Sequence, residues 1–139
     1  MNIVFFLTPK REVIYVKLTS TVRQVLEKMK YHNCNRLPIL DDKGVFVGII
    51  TKEDLISKIK NSPKLEFKDF NKMGISDIIT DMIDMTVHIY DNIDDLPTSM
   101  LDRSFVPVVD DSNIFIGIIK KSDLLSMSKY NESEKLNCM

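Results

Sequence analysis

Tryptophan is absent from this 139-residue chain, and aromatic residues make up only 8% of it. That leaves too few rings for a stacking surface that could hold unpaired bases. No charge of one sign dominates. Nineteen Lys and Arg stand against 20 Asp and Glu, a net of −1, so no global field draws the chain to nucleic acid or to an anionic membrane. Long apolar runs are missing as well. The run from Ile3 to Leu7 has no basic residue before it and is stopped by Pro9, too short for a secretory leader or a bilayer span. The expectation is a soluble protein. Cysteine is scarce: Cys34 and the penultimate Cys138 give little basis for a disulfide and point to a reducing, cytoplasmic setting. No Gly-rich phosphate loop occurs, and no cluster has metal-ligand spacing. The remaining composition, 44% hydrophobic and 28% charged, is that of an ordinary globular chain forming one compact domain or two small halves sharing a core.

What is present is a duplication. Val45-Phe46-Val47-Gly48-Ile49-Ile50-Thr51-Lys52-Glu53-Asp54-Leu55-Ile56 reads as a strand, a Thr at the turn and a helix opening with acidic residues. Ile114-Phe115-Ile116-Gly117-Ile118-Ile119-Lys120-Lys121-Ser122-Asp123-Leu124-Leu125 repeats that layout 69 positions later. From Arg36 to Ile56, ten of 21 positions are identical without a gap. Unrelated segments agree at roughly one position in fifteen to twenty, so the chain contains an internal repeat.

Patterning supplies the elements. Ile3 to Leu7 reads as a short apolar helix or strand, and Val13 to Leu18, rich in β-branched and aromatic residues, as a strand. Thr19-Ser20-Thr21 caps a helix whose Val22, Val25, Leu26 and Met29 share one face. Leu37 to Leu40 and Val45 to Ile50 are strands joined by Asp41-Asp42-Lys43-Gly44, with Gly44 suited to positive φ. Glu53 to about Lys60 is a helix. The second copy follows the same order. Ile75 to Thr80 leads in, Met85 to Ile89 is a strand, and Ile93, Leu96 and Met100 mark a helix two residues shorter than its counterpart. Strands from Val106 and Ile114 and a closing helix from Ser122 complete it. The expected divisions are 1–60 for the first repeat with its lead-in, 61–74 for a connector, 75–128 for the second repeat and 129–139 for a polar tail. The expected class is α/β (α+β), with each repeat running strand–helix–strand–strand–helix. Some 50 residues cannot bury a self-sufficient core. The two copies are therefore expected to pack together as a pseudo-two-fold pair.

Two copies of this unit, with Leu-Pro-Ile-Leu-Asp-Asp and Gly-Ile-Ile-Thr-Lys-Glu-Asp-Leu in the first, resemble a tandem CBS-domain pair (a Bateman module), in particular the stand-alone CBS-pair proteins of bacteria. The resemblance covers about residues 6 to 128. It implies a regulatory ligand-binding domain rather than an enzyme, one that binds an adenosine compound: AMP, ADP, ATP, S-adenosylmethionine, NAD or cyclic di-AMP. It also implies a homodimer and an output read by a separate effector protein. A physical point accompanies the dimer: Val22, Val25, Leu26 and Met29, Ile93, Leu96 and Met100, and Leu55, Ile56, Leu124 and Leu125 exceed what one sheet face would cover.

The same resemblance assigns residues. Thr51 and Asp54 would hold phosphate or ribose, with Thr80, Arg103 and Ser104 as their partner surface and the backbone at Leu37 and Val106 reading the adenine. A reciprocal site would use Lys120 and Asp123 with Thr8, Cys34 and Asn35. Arg11 and Arg103 are further phosphate candidates. The chemistry is sensible, since a helix start favours an anion and a carboxylate can accept from two ribose hydroxyls. Thr-x-x-Asp before an apolar run is equally a capping box, in which both side chains only close the helix. Lys120 stands where a hydroxyl is expected. It either neutralises a phosphate, plugs a dead site or simply points to solvent. Cys34 reads as a small packed side chain, and His88 as exposed and offset from the apolar positions. The rival to a sensor is a dimerising scaffold whose sites are vestigial.

Overall fold

Two hairpins carry the fold, and each begins as a pair of short apolar runs that bury both faces. The computed structural model describes residues 1–61, 67–79, 85–97, 99–100 and 103–126. In chain order these form β1 (Leu7–Pro9), β2 (Val16–Lys17), α1 (Val22–His32), β3 (Arg36–Leu40), β4 (Phe46–Thr51) and α2 (Lys52–Lys60). There follow α3 (Phe67–Lys72), α4 (Ile75–Ile78), β5 (Val87–His88), β6 (Phe105–Val109) and β7 (Phe115–Lys120). Residues 121–126 are helical, and 3-10 turns span Ile3–Phe6, Lys10–Glu12 and Ile93–Asp95. One sheet is ordered β2-β3-β4 and the other β1-β7-β6-β5.

The hairpins agree in detail. β3 and β4 are antiparallel, with Arg36 opposite Thr51 and a register shift after Ile39. β6 and β7 repeat this with Phe105 opposite Lys120 and the shift after Val108. Both turns are built the same way. The Asp41 carboxylate accepts from the N–H groups of Lys43 and Val45, and that of Asp110 from Ser112 and Ile114. Gly44 takes φ 84°, and Asn113 holds the matching place at φ 62°. Asn is among the few side chains that tolerate this left-handed geometry.

The chain divides into two compact units, Ile14–Asp84 and Met1–Val13 joined with Met85–Met139. The lead-in 1–13, expected with the first repeat, therefore belongs with the second. β1 lies antiparallel on β7, Thr8 opposite Ile118. Gly117 permits this, because a Cβ there would sit 2.1 Å from the Thr8 carbonyl oxygen. A clamp fixes the same lead-in further back: Ile3 N–H donates to Asp91 O (3.2 Å) and Ile93 N–H to Met1 O (2.9 Å). The other unit has a matching clamp. Ile75 N–H donates to Ser20 O (2.8 Å) and Val22 N–H to Met73 O (2.9 Å).

Each unit has its own core. Val22, Val25, Met29, Leu37, Ile50 and Leu55 centre one, and Ile3, Val87, Val106, Val108, Ile119 and Leu124 the other. α1 forms as its pattern dictates. Thr21 and Gln24 make a reciprocal capping box, and Asn33 ends the helix in the left-handed region at φ 50°.

Several expectations change. Of the apolar residues expected to need a dimer partner, Val22, Val25, Met29, Leu55, Ile93, Met100 and Leu124 are buried within their own units, while Ile56 and Leu125 remain 40% and 45% exposed. The units cover more apolar surface than a bare sheet face would, because α4 and the Ile3 turn also pack on the cores. The helix expected from Ile93 is a 3-10 turn, Ile93–Asp95, after which Leu96 is extended (φ −72°, ψ 133°). Pro97 explains it: proline excludes the residue before it from the helical region. The strands expected over 13–18 and 85–89 shrink to the two-residue stretches that pair in parallel with β3 and β6. The connector contains α3, which lies beside α1. Thr80, residues 62–66 and the tail 129–139 lie outside the described residues.

Candidate functional site

The junction of β4 and α2 is where the first copy's chemistry gathers. β4 ends at Thr51, whose hydroxyl oxygen accepts from Asp54 N–H at 3.0 Å and so caps α2. Lys52 N–H donates to Asn35 O at 2.9 Å, which pins the helix start to the entry of β3. Only the Thr half of the expected capping box forms. The Asp54 carboxylate is exposed and makes no hydrogen bond or ion pair with another described residue. An acid freed from capping can accept from a ligand.

Around this junction Asn35, Arg36, Thr51, Lys52, Glu53 and Ile56 line an open cavity of about 380 Å³. A second, of about 330 Å³, shares Glu53 and Ile56 and continues along α2 to Lys60 and Asn61. Guanidinium, ammonium, amide and hydroxyl groups at one helix start suit a phosphate-sized anion, against the single opposing carboxylate of Glu53. Asp54 does not line the cavity, so a ligand seated there would meet Asp54 only by extending beyond it. Sequence reasoning did not pick Arg36, Lys52, Glu53 or Ile56. The hairpin register was the available signal, because it sets Arg36 directly across from Thr51.

Leu37 is 2% exposed and Val106 0%, so neither offers its side chain. Their backbones differ from those of their neighbours in one respect. Pairing of β3 with β2 starts at Ile39, and pairing of β6 with β5 at Val108, so in the described strands the preceding residues pair on one side only. Cys34 is half-buried against the core and follows the α1 cap. Burial pushes its thiol above the ordinary range, which disfavours a thiolate nucleophile.

The second junction keeps the backbone and changes the side chain. Lys121 N–H donates to Ser104 O at 2.9 Å, as Lys52 does to Asn35. Lys120 is exposed at the Thr51 position and cannot cap, since an ammonium carries no acceptor. Asp123 is half-buried, one turn into the helix. Thr8 is half-buried on β1. Arg103 is half-buried, Ser104 exposed, and Arg11 exposed in its 3-10 turn. Thr51, Asp54, Cys34, Asn35 and Leu37 thus belong to one unit, and Thr8, Arg11, Arg103, Ser104, Val106, Lys120 and Asp123 to the other. Among the described residues no group of three His, Cys, Asp or Glu could hold a metal, and no helix is long and apolar enough to cross a membrane.

The hairpins, their matched strand-to-helix junctions and the parallel strand beside each define a tandem α+β repeat module. Comparison with known proteins gives the family. The CBS-domain model matches residues 6–61 and again 75–130, and the chain belongs to the CBS-domain family as a tandem pair. An uncharacterized protein of Methanopyrus kandleri is 27% identical over 127 residues, 87% of this chain and 60% of that one. A homoserine O-acetyltransferase of Methanocorpusculum labreanum is 30% identical over 117 residues, 82% of this chain and 22% of the enzyme. The chain therefore spans between about a fifth and three fifths of these relatives. Among solved structures, CbpB in complex with c-di-AMP superposes with a TM-score of 0.84 at 17% identity, covering 100% of this chain and 91% of that one. CBSX2 in complex with AMP does so with a TM-score of 0.74 at 22% identity, covering 94% and 98%. At such identities the likeness is one of fold.

Proposed function

We propose that this chain is a regulatory adenine-nucleotide sensor that acts through a separate partner protein. The observation that carries the reading is the Asp54 carboxylate, which makes no hydrogen bond or ion pair with another described residue, beside a Thr51 that already caps its helix. A ribose offers that acid two donors, and in the cavity next to it Arg36 and Lys52 outnumber the one carboxylate, Glu53, which leaves room for a phosphate's charge. Lys120 and Asp123 take the same roles in the second copy, with Lys120 supplying charge in place of a hydroxyl. AMP in CBSX2 and c-di-AMP in CbpB support the choice of ligand class. The protein works as a cytoplasmic homodimer. Its nucleotide shifts the output only by binding one conformation better than another.

A second reading, a dimerising scaffold with vestigial sites, is favoured by Lys120 at a capping position and by the 3-10 turn in place of a full helix. Thermal shift in nucleotide-free protein separates the two readings. AMP, ADP, ATP, S-adenosylmethionine, NAD and c-di-AMP are screened, with GMP as control. A ligand at 100 times its Kd adds about 2.7 kcal/mol. A shift with an adenine compound that is lost in Asp54→Ala supports the sensor, and no shift with any of them supports the scaffold.

A further inference from the structure

The clamp on the N-terminal lead-in contains a group that its counterpart in the other unit lacks. At the end of β5, His88 N–H donates to the Asp91 carboxylate (2.9 Å), and Asp91 N–H donates back to His88 O (2.8 Å). Lys17 and Ser20 make the same exchange in the other unit, with Lys17 N–H on Ser20 Oγ at 3.2 Å and Ser20 N–H on Lys17 O at 2.8 Å. His88 adds a third bond. Its Nδ1 accepts from Tyr90 N–H at 3.3 Å, while Nε2 faces Asp111 Oδ1. An imidazole that accepts at Nδ1 carries its proton at Nε2 and is neutral. The turn so held is the one whose Asp91 carbonyl receives Ile3 N–H.

We propose that His88 is a proton-sensitive latch on the turn that clamps the lead-in. Histidine changes charge between about pH 5 and 8, where neither Lys17 nor Ser20 does. Protonation places a second N–H on Nδ1, donor against donor with Tyr90, and that bond is lost. The gain on the other side of the ring does not replace it. Nε2–H to Asp111 ties β5 to the 110–113 turn, not to the 89–92 turn, and the Asp111 side chain is 80% exposed, so water competes for it. Among the described residues the Tyr90 side chain stacks on the ring at a tilt with centroids 5.2 Å apart, and the Asp91 carboxylate is already engaged by the His88 backbone N–H. The neighbouring Asp110 carboxylate is occupied by Ser112 and Ile114 N–H. The chain has no Lys or Arg between Lys72 and Arg103, and the cation on this turn is the Met1 ammonium, which donates to Asn92 Oδ1 at 2.7 Å and lies 3.7 Å from the Asp94 carboxylate. The latch does not depend on what the chain binds.

Nitrogen NMR of the His88 ring and amide hydrogen exchange test it, with exchange expressed as protection relative to the intrinsic rate at each pH. At about pH 7.5 the ring should be the neutral Nε2–H tautomer, and on moving to about pH 5.5 protection at Tyr90 and Ile3 should fall several-fold. Ile75, in the matching clamp, should not change. His88→Gln, which does not titrate, should abolish the pH dependence and so separates His88 from His32, the chain's other histidine. An Nδ1–H tautomer at neutral pH, unchanged protection at Ile3, an equal loss at Ile75, or a pH dependence surviving in His88→Gln would each overturn the proposal.

Discussion

Ile3 and Ile75 hold matching places in the two clamps, each fully buried and each donating its N–H to a turn in the other repeat's unit. Both lead-ins thus spend their first buried isoleucine outside their own repeat. Truncating either to Ala removes the transfer energy and leaves a cavity, at about 2–5 kcal/mol. Ile3→Ala and Ile75→Ala should therefore both lower the urea midpoint substantially. A cost under about 0.5 kcal/mol for either would show that its clamp is not formed.

Gly117→Ala should unseat β1. The added Cβ would lie 2.1 Å from Thr8 O and 3.1 Å from Pro9 Cα, backbone atoms that cannot swing aside as the Leu7 side chain can. A loss of about 1–3 kcal/mol is expected, with faster amide exchange over 7–9 and unchanged exchange in β3 and β4.

The two strand-to-helix junctions should answer oppositely to hydroxyl changes. Thr51→Ala deletes a formed cap and should cost about 0.5–2 kcal/mol. Lys120→Thr supplies a missing acceptor and removes a cation from a helix start, so it should stabilise by about 1 kcal/mol. If Lys120 serves a phosphate, the same stabilised variant should bind nucleotide more weakly, which calorimetry would read.

Asp54→Ala should separate stability from binding. Its carboxylate makes no hydrogen bond or ion pair with another described residue, so the loss is limited to the helix-dipole contribution of at most about 1 kcal/mol. Nucleotide affinity should fall by far more, measured by titration calorimetry on protein stripped of ligand.

Cys34 should alkylate slowly. Burial raises its thiol pKa in the folded state, so at mildly alkaline pH less thiolate is present than in the unfolded chain. The sign for stability follows. The contribution is whole below the unfolded pKa of about 8.5 and is lost as pH rises through the folded value. Iodoacetamide labelling should accelerate when urea is added at about pH 8, and equal rates would contradict the burial.

Much of this was legible because it is local. The hairpins follow from apolar runs flanking Asp-Asp turns, and Gly44 at positive φ from the turn chemistry of those few residues. α1 follows from Thr21 and a period-3.6 face. The failure at Ile93 was local too. Its apolar spacing mimicked a helix, and Pro97, in plain view, overrode it at Leu96. Thr51 was readable as a cap or as a ligand group, and its bond to Asp54 N–H shows that it caps, while the acid makes no hydrogen bond or ion pair with another described residue.

The amino-acid order by itself determined the duplication and the family, which rest on a pattern written twice 69 positions apart, and the two hairpins, whose residues lie within a few positions of one another. Only the tertiary structure decided where the lead-ins go. Residues 1–13 join the unit of the second repeat, and β1 its sheet, because Gly117 leaves room for β1 and the Asp91 turn accepts Ile3. Those partners lie about a hundred positions away and carry no periodic signal. Long-range pairing of this kind is settled by backbone fit and burial, which no local pattern records.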